Sequence, residues 1–287
     1  MTTKIDDALV RALEAGTSSA PPKLAEAMRY AVFPGGARVR PRLCLAVAEA
    51  AAGAPPPPAA IGLACSLELL HCASLVHDDL PCFDDADLRR GRPSVHRAFG
   101  EALALLVGDG LMLLALDTVA TGAIERPRLV APLVSVAARA AGASEGLVAG
   151  QGWESEPEVD TGRYHRAKTG ALFVAATTGG ALTVGADASA WADLGLALGE
   201  AYQVADDLLD AHAAPAEAGK PVGQDQTRRR PSAVHALGTE GALAELRRLI
   251  DRAVSAVPVC PGQPELRVLV EQMAVRLVPS ALRRSAA

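Results

Sequence analysis

Two clusters of carboxylates carry the chemistry of this sequence: HDDLPCFDDAD at 77–87 and VADDLLD at 204–210. Each lies in an apolar run that reads as buried helix. Carboxylates gathered there repel one another and lose hydration unless a cation joins them. Ligands that offer only oxygen suit Mg²⁺, a hard cation that shares its protein sites with phosphate groups. Two such clusters far apart in the chain imply opposing walls of one Mg²⁺–diphosphate cavity. In the second cluster, Asp206 and Asp210 are four apart and Asp207 and Asp210 three apart, spacings that share a helix face. A solvated acidic face is the alternative, and the apolar residues on both sides oppose it. In the first cluster, Asp78 and Asp84 are six apart and do not share the face of a straight helix. Pro81 lies between them, and a proline-associated bulge would bring Asp84 round to meet Asp78.

Cations accompany both clusters. Arg89 and Arg90 follow the first, and a guanidinium fork matches phosphate oxygens. Gly36-Ala37-Arg38-Val39-Arg40 follows a glycine turn and opens a basic helix start, where N–H groups and arginine can hold an anion. Lys168-Thr169-Gly170 sits inside an apolar run. Lys220 and Arg230 follow the second cluster. Singly, each of these reads as a surface cation or a turn, so the weight rests on their combination in one order. His71, His77 and His96 do not have the spacing of helical zinc pairs.

The elements that must position these residues are helical. The chain has 287 residues, is 50% hydrophobic and only 3% aromatic, and its long runs are built from Ala and Leu, which favour helix. An all-α protein follows. Helices are expected over 1–15, up to Val32, 41–52, 59–80, 99–122, 128–140, 142–153, 160–181, 189–212, 240–255 and 264–283. GAPPPP at 53–58 reads as a stiff polyproline connection. No repeat and no shift in composition marks a boundary, so residues 1–287 read as a single domain. The net charge of −5 gives no general field for nucleic acid or an anionic membrane. The run 102–116, interrupted by Asp109, reads as core helix too short to span a bilayer. The five cysteines lack framework or metal spacing and read as buried small hydrophobes in a reducing, cytoplasmic setting.

Taken together, LELLH at 67–71, HDDLPCFDDADLRRGRPSVH at 77–96, GQ at 150–151, KTG at 168–170, YQVADDLLD at 202–210 and GKPVGQD at 219–225 resemble the trans-isoprenyl diphosphate synthases, the polyprenyl synthetase family. The four residues between Asp79 and Asp84 resemble the short-chain bacterial and plant subgroup. The resemblance implies a bundle of roughly ten or more helices around a central cavity, and a homodimer. It implies Mg²⁺-dependent head-to-tail condensation of isopentenyl diphosphate with an allylic diphosphate (dimethylallyl, geranyl or farnesyl), with release of pyrophosphate. On that basis Asp78, Asp84 and Asp206 hold the metal. Arg89, Lys168, Lys220 and Arg230 bind the allylic diphosphate, together with Thr169 and Gln203. Lys168, Thr169 and Gln203 attend the cation formed in catalysis. Gly36, Arg40, His71 and Arg90 bind isopentenyl diphosphate. The family usually has Lys where this chain has Ala37, which removes one phosphate-binding ammonium unless Arg38 or Arg42 compensates. Glu154 stands where the family often has Asp.

Product length is argued from bulk. Synthases that stop at fifteen carbons place an aromatic residue near the positions of Ala73 and Ser74. Small residues there leave room for another five-carbon unit, so geranylgeranyl diphosphate is the expected product and farnesyl diphosphate the alternative. Met112, Leu113 or Phe173 are other candidates for closing the tunnel. A non-catalytic partner subunit is favoured only by Ala37, and a terpene cyclase is opposed by the second Asp cluster.

Overall fold

The computed structural model describes residues 2–33, 36–212 and 232–277. Helices account for almost all regular structure among them. They are α1 Thr2–Gly16, α2 Pro22–Val32, α3 Val39–Ala52, α4 Pro58–Asp78, α5 Val95–Phe99, α6 Glu101–Gly122, α7 Pro127–Ala141, α8 Leu147–Trp153, α9 Thr161–His165, α10 Ala171–Thr183, α11 Ala192–His212, α12 Ala233–Ser255 and α13 Gln263–Leu277. Prolines open α2, α4 and α7, where a missing N–H costs nothing. Gly53 closes α3 in the left-handed region, and Pro57 (φ −72°, ψ 165°) has the polyproline geometry expected of its run.

α4 is apolar on every side and buried along most of its length, the pattern of a central helix. It packs against α1, α2, α3, α6, α7 and α10. One core cluster runs from Ile5 to Met273, and a smaller one joins α11 to α12 through Val204, Leu208, Leu246 and Leu249.

Four departures from the sequence reading have physical causes. First, the helix expected over 160–181 is broken by a π-helical turn, Arg166–Gly170, between α9 and α10. Second, α8 begins only at Leu147, because Gly142 is extended and starts a turn. Third, residues 88–93 form a two-residue-loop hairpin, Leu88–Arg89 against Arg92–Pro93. Arg90 (φ 55°) and Gly91 (φ 73°) both take the positive φ that such a turn demands. Fourth, α6 is 22 residues long, so the 102–116 run belongs to a helix long and apolar enough to cross a bilayer, as does α4. In α4 78% of that apolar window is buried, in α6 only 39%. Leu105, Leu106 and Leu113 stand exposed on α6. The cysteines also divide: Cys44, Cys65 and Cys72 are buried, whereas Cys82 is exposed in the loop after α4.

Candidate active site

A cavity of about 940 Å³ opens between the C-terminal half of α4, the 83–90 loop, α8, the π turn and α11. On α4 the stripe Leu70, His71, Ser74, Leu75 and Asp78 lines it. These positions follow the i, i+3, i+4, i+7 spacing of one helix face. Ala73 is rotated by roughly 100° from Ser74. It is 1% exposed, packs in the core and does not line the cavity. Of the other tunnel candidates, Met112 lines the cavity, while Leu113 is 70% exposed and Phe173 is buried.

Beyond Asp78 the helix ends. There is no bulge within a continuing helix; instead the loop doubles back. The Asp84 N–H donates to the Asp78 carbonyl at 2.9 Å, and the Asp85 and Ala86 N–H groups donate to Leu80 and Asp79. Asp85 takes a positive φ of 45° to make this reversal. Asp78 and Asp84 thereby line the same cavity despite their spacing. Between them in sequence, Asp79 is 2% exposed and points away. Its carboxylate accepts from Arg89 Nη2 at 2.5 Å and from Nε at 3.1 Å. Burial pushes its pKa up, against the pull of Arg89. Arg89 lines the cavity, but first of all as the counter-ion of Asp79.

On the opposite wall α11 presents Tyr202, Gln203, Asp206 and Asp210. Asp207 faces away, is 1% exposed, and accepts from Gln203 Nε2 at 2.8 Å and from the Ala233 N–H at 2.7 Å. A carboxylate there satisfies one of the unpaired N–H groups that open α12. Gln203 Oε1 in turn accepts from the Thr169 hydroxyl at 2.7 Å. Thus Thr169 is tied through Gln203 to the buried Asp207.

The π turn carries Lys168 and Thr169 into the cavity wall. Gly150 of α8 and Gly199 of α11 squeeze it from two sides. A Cβ on Gly150 would lie 2.5 Å from Lys168 Cα, and one on Gly199 would lie 2.6 Å from Gly170 Cα. Widened helical turns of this kind concentrate at functional sites. Lys168 Nζ lies 3.3 Å from Asp78 Oδ1 and also contacts Glu154.

Near His71, Arg40 is 7% exposed, and its Nε has no hydrogen-bond partner. Its guanidinium is held over the rings of Phe173 (4.9 Å) and Tyr202 (5.5 Å). Arg90 lines the cavity nearby, and a Cβ on Gly36 would sit 3.1 Å from its guanidinium. Burial, followed by the charges of Arg40 and Arg90, holds His71 well below the ordinary histidine pKa. It is therefore a neutral ring with one N–H to give. Ala37 is exposed. Arg38 cannot replace the missing lysine. It is buried and bound to Glu68 at 2.6 Å, Asp6 at 3.0 Å and the Val32 carbonyl at 3.1 Å. Arg42 does not line the cavity. Lys220 and Arg230 lie outside the described residues.

Among the described residues no three His, Cys, Asp or Glu side chains converge on one metal position. The donors facing the cavity are nevertheless carboxylate oxygens on two walls. That set fits Mg²⁺, which takes one or two carboxylates and completes its shell with water and substrate phosphate. Tyr164 lines the cavity and was not singled out in the sequence, while Asp210 and Gln151 line it as their motifs allowed. Asp210 was signalled by its spacing from Asp206, whereas the α8–α9 contacts had no local signal.

The polyprenyl synthetase family matches residues 21–260. The chain belongs to that family. It is a prenyltransferase of the all-α isoprenoid synthase type. It is 49% identical to a geranylgeranyl diphosphate synthase of Cereibacter sphaeroides over 96% of both chains. Identity to a farnesyl diphosphate synthase of Geobacillus stearothermophilus is 40%, covering 87% of this chain and 86% of that one. In three dimensions it is similar to a geranyltransferase from Helicobacter pylori solved with magnesium and isoprenyl diphosphate. The TM-score is 0.78 and the identity 26%, over 95% of this chain and 96% of that one.

Proposed function

We propose that residues 1–287 act as one domain that condenses an allylic diphosphate with isopentenyl diphosphate, head to tail, to make geranylgeranyl diphosphate. The observation that carries this reading is the cavity shared by Asp78 and Asp84 on one wall and Asp206 and Asp210 on the other, with Arg40 and Arg90 also lining it beside His71. Breaking the allylic C–O bond places negative charge on the departing pyrophosphate. Mg²⁺, when bound by the facing carboxylates, neutralises that charge as a Lewis acid.

The chain's own residues do the rest. Lys168 with Arg89, joined by Lys220 and Arg230 as the family resemblance implies, orients the allylic diphosphate. Oxygens of Thr169 and Gln203 and the Lys168 carbonyl face the allylic cation, and the Thr169–Gln203–Asp207 chain fixes where they point. Arg40, Arg90 and the N–H of neutral His71 hold the diphosphate of isopentenyl diphosphate, with the Gly36 backbone beside them. This places the alkene to attack. The released pyrophosphate takes the final proton.

Ser74 is small and faces the cavity, which supports a twenty-carbon product. The exposed leucines of α6 support a homodimer in which a second copy covers them. The exposed Asp109 in the middle of the same helix disfavours a lipid partner, because a carboxylate at a bilayer centre costs about 2.5–3.5 kcal/mol. Free cysteines support a cytoplasmic setting. The deciding assay incubates purified protein with Mg²⁺, isopentenyl diphosphate and each primer, then sizes the dephosphorylated alcohols. Twenty-carbon alcohol is expected. Fifteen-carbon alcohol alone would refute the length argument, and no condensation with any primer would favour a partner subunit.

A further inference from the structure

We propose that Glu154 is a positioning residue that shares the Lys168 ammonium with Asp78, so that the ammonium does not rest on Asp78 alone and Asp78 keeps oxygens for the divalent ions. The inference rests on the reaction proposed above and deepens it. Lys168 Nζ touches two carboxylates, Asp78 at 3.3 Å and Glu154 at closer range. It also lies over the Tyr164 ring, 5.7 Å from its centroid. Glu154 is anchored on its own account. It caps the end of α8, its Oε1 accepts from the buried Tyr164 hydroxyl at 2.8 Å, and its Oε2 accepts from Gln151 Nε2 at 3.3 Å. Asp78, Lys168 and Glu154 are all half-buried (15, 23 and 18% side-chain exposure), so water screens their charges only in part. Glu154 itself does not line the cavity, whereas Asp78 and Lys168 do.

Counting charges gives the consequence. With Glu154 in place, Lys168 has a second carboxylate outside the cavity wall, so its ammonium is not drawn to Asp78 alone. Without the Glu154 charge, Asp78 becomes the only carboxylate in contact with Lys168 among the described residues. The ammonium then competes for the oxygens that Mg²⁺ needs. The role of Glu154 is thus felt at the metal-binding mouth through Lys168 and requires no contact with substrate.

Calorimetric titration of inorganic pyrophosphate at stepped MgCl₂ concentrations tests this without turnover. Glu154→Gln should raise the MgCl₂ needed for half-maximal pyrophosphate binding about tenfold, the scale of one charge-assisted hydrogen bond. Glu154→Asp should shift it in the same direction but less, about threefold. In a Lys168→Met background, Glu154→Gln should add no further shift, since no ammonium remains to position. Melting curves separate a folding defect from this effect. If Glu154→Gln does not fold, the aspartate variant carries the test. An unshifted Mg²⁺ requirement, or an equal shift with and without Lys168, would overturn the inference while the proposed reaction stands. Wild-type protein that bound no pyrophosphate at any MgCl₂ concentration would overturn both.

Discussion

At the carboxylate mouth each described cation has an acidic neighbour: Lys168 has Asp78 and Glu154, and Arg89 has Asp79. Beside His71, Arg40 and Arg90 have no ion-pair partner among the described residues, and aromatic faces steady Arg40. A guanidinium left unpaired and largely buried is costly unless an anion arrives. The two groups of residues thus suit different guests. Among the described residues the mouth presents carboxylates on two walls, a surface suited to an anion that arrives together with divalent cations. The Arg40–Arg90 pair is suited to take an anion directly.

The strongest test of this contrast is at the mouth. Asp78→Ala should lower kcat on the order of 10²- to 10³-fold in steady-state condensation assays, because charge stabilisation in the transition state is lost. The protein should keep its fold, since Asp78 is not a core residue. Next in size, Arg40→Ala should raise KM for isopentenyl diphosphate roughly 10- to 100-fold at saturating MgCl₂. KM for the allylic primer should stay near wild type; a rise of equal size in both would merge the two groups into one site.

Ser74 and Ala73 sharpen the contrast between cavity and core. Ser74→Phe should shorten the main alcohol to fifteen carbons. Ala73→Phe, one residue away, should instead destabilise the fold by about 1–3 kcal/mol through overpacking, read as a lower Tm. Ala37→Lys should lower KM for isopentenyl diphosphate by up to about tenfold. An unchanged KM would remove the significance given to that position.

The smallest effect concerns His71. Its folded pKa is depressed below 6.5, so the unfolded chain binds a proton that the folded chain refuses as pH falls through that value. Its contribution is therefore present above pH 6.5 and lost progressively below it. Urea midpoints followed from pH 7 downward should fall less steeply for His71→Gln than for wild type.

Much of the fold was legible because helices announce themselves locally. Prolines at the first turns, Gly53 at a C-terminus and Ala/Leu runs fix most helix bounds within a few residues. The π turn was not legible, since it exists only because Gly150 and Gly199 let two helices press on Lys168 and Gly170. Similarly, the spacing of Asp206 and Asp210 stated a shared face. The partners of Glu154, by contrast, depend on how α8 meets α9, and no spacing encodes that.

By itself, the order of residues determined an all-helical chain, two acid-rich segments, a basic turn after α2, and membership of a prenyl-transferring family. The first three follow from short-range periodicity and residue chemistry, and the membership from the resemblance of the motifs to those of the family. Only the tertiary structure decided which acids face the cavity and which serve the scaffold. Asp79 and Asp207 stand beside Asp78 and Asp206 in the chain, yet one is bound to Arg89 and the other to the first turn of α12. Neighbours on a helix point about 100° apart, and what each meets is set by distant segments brought there by packing.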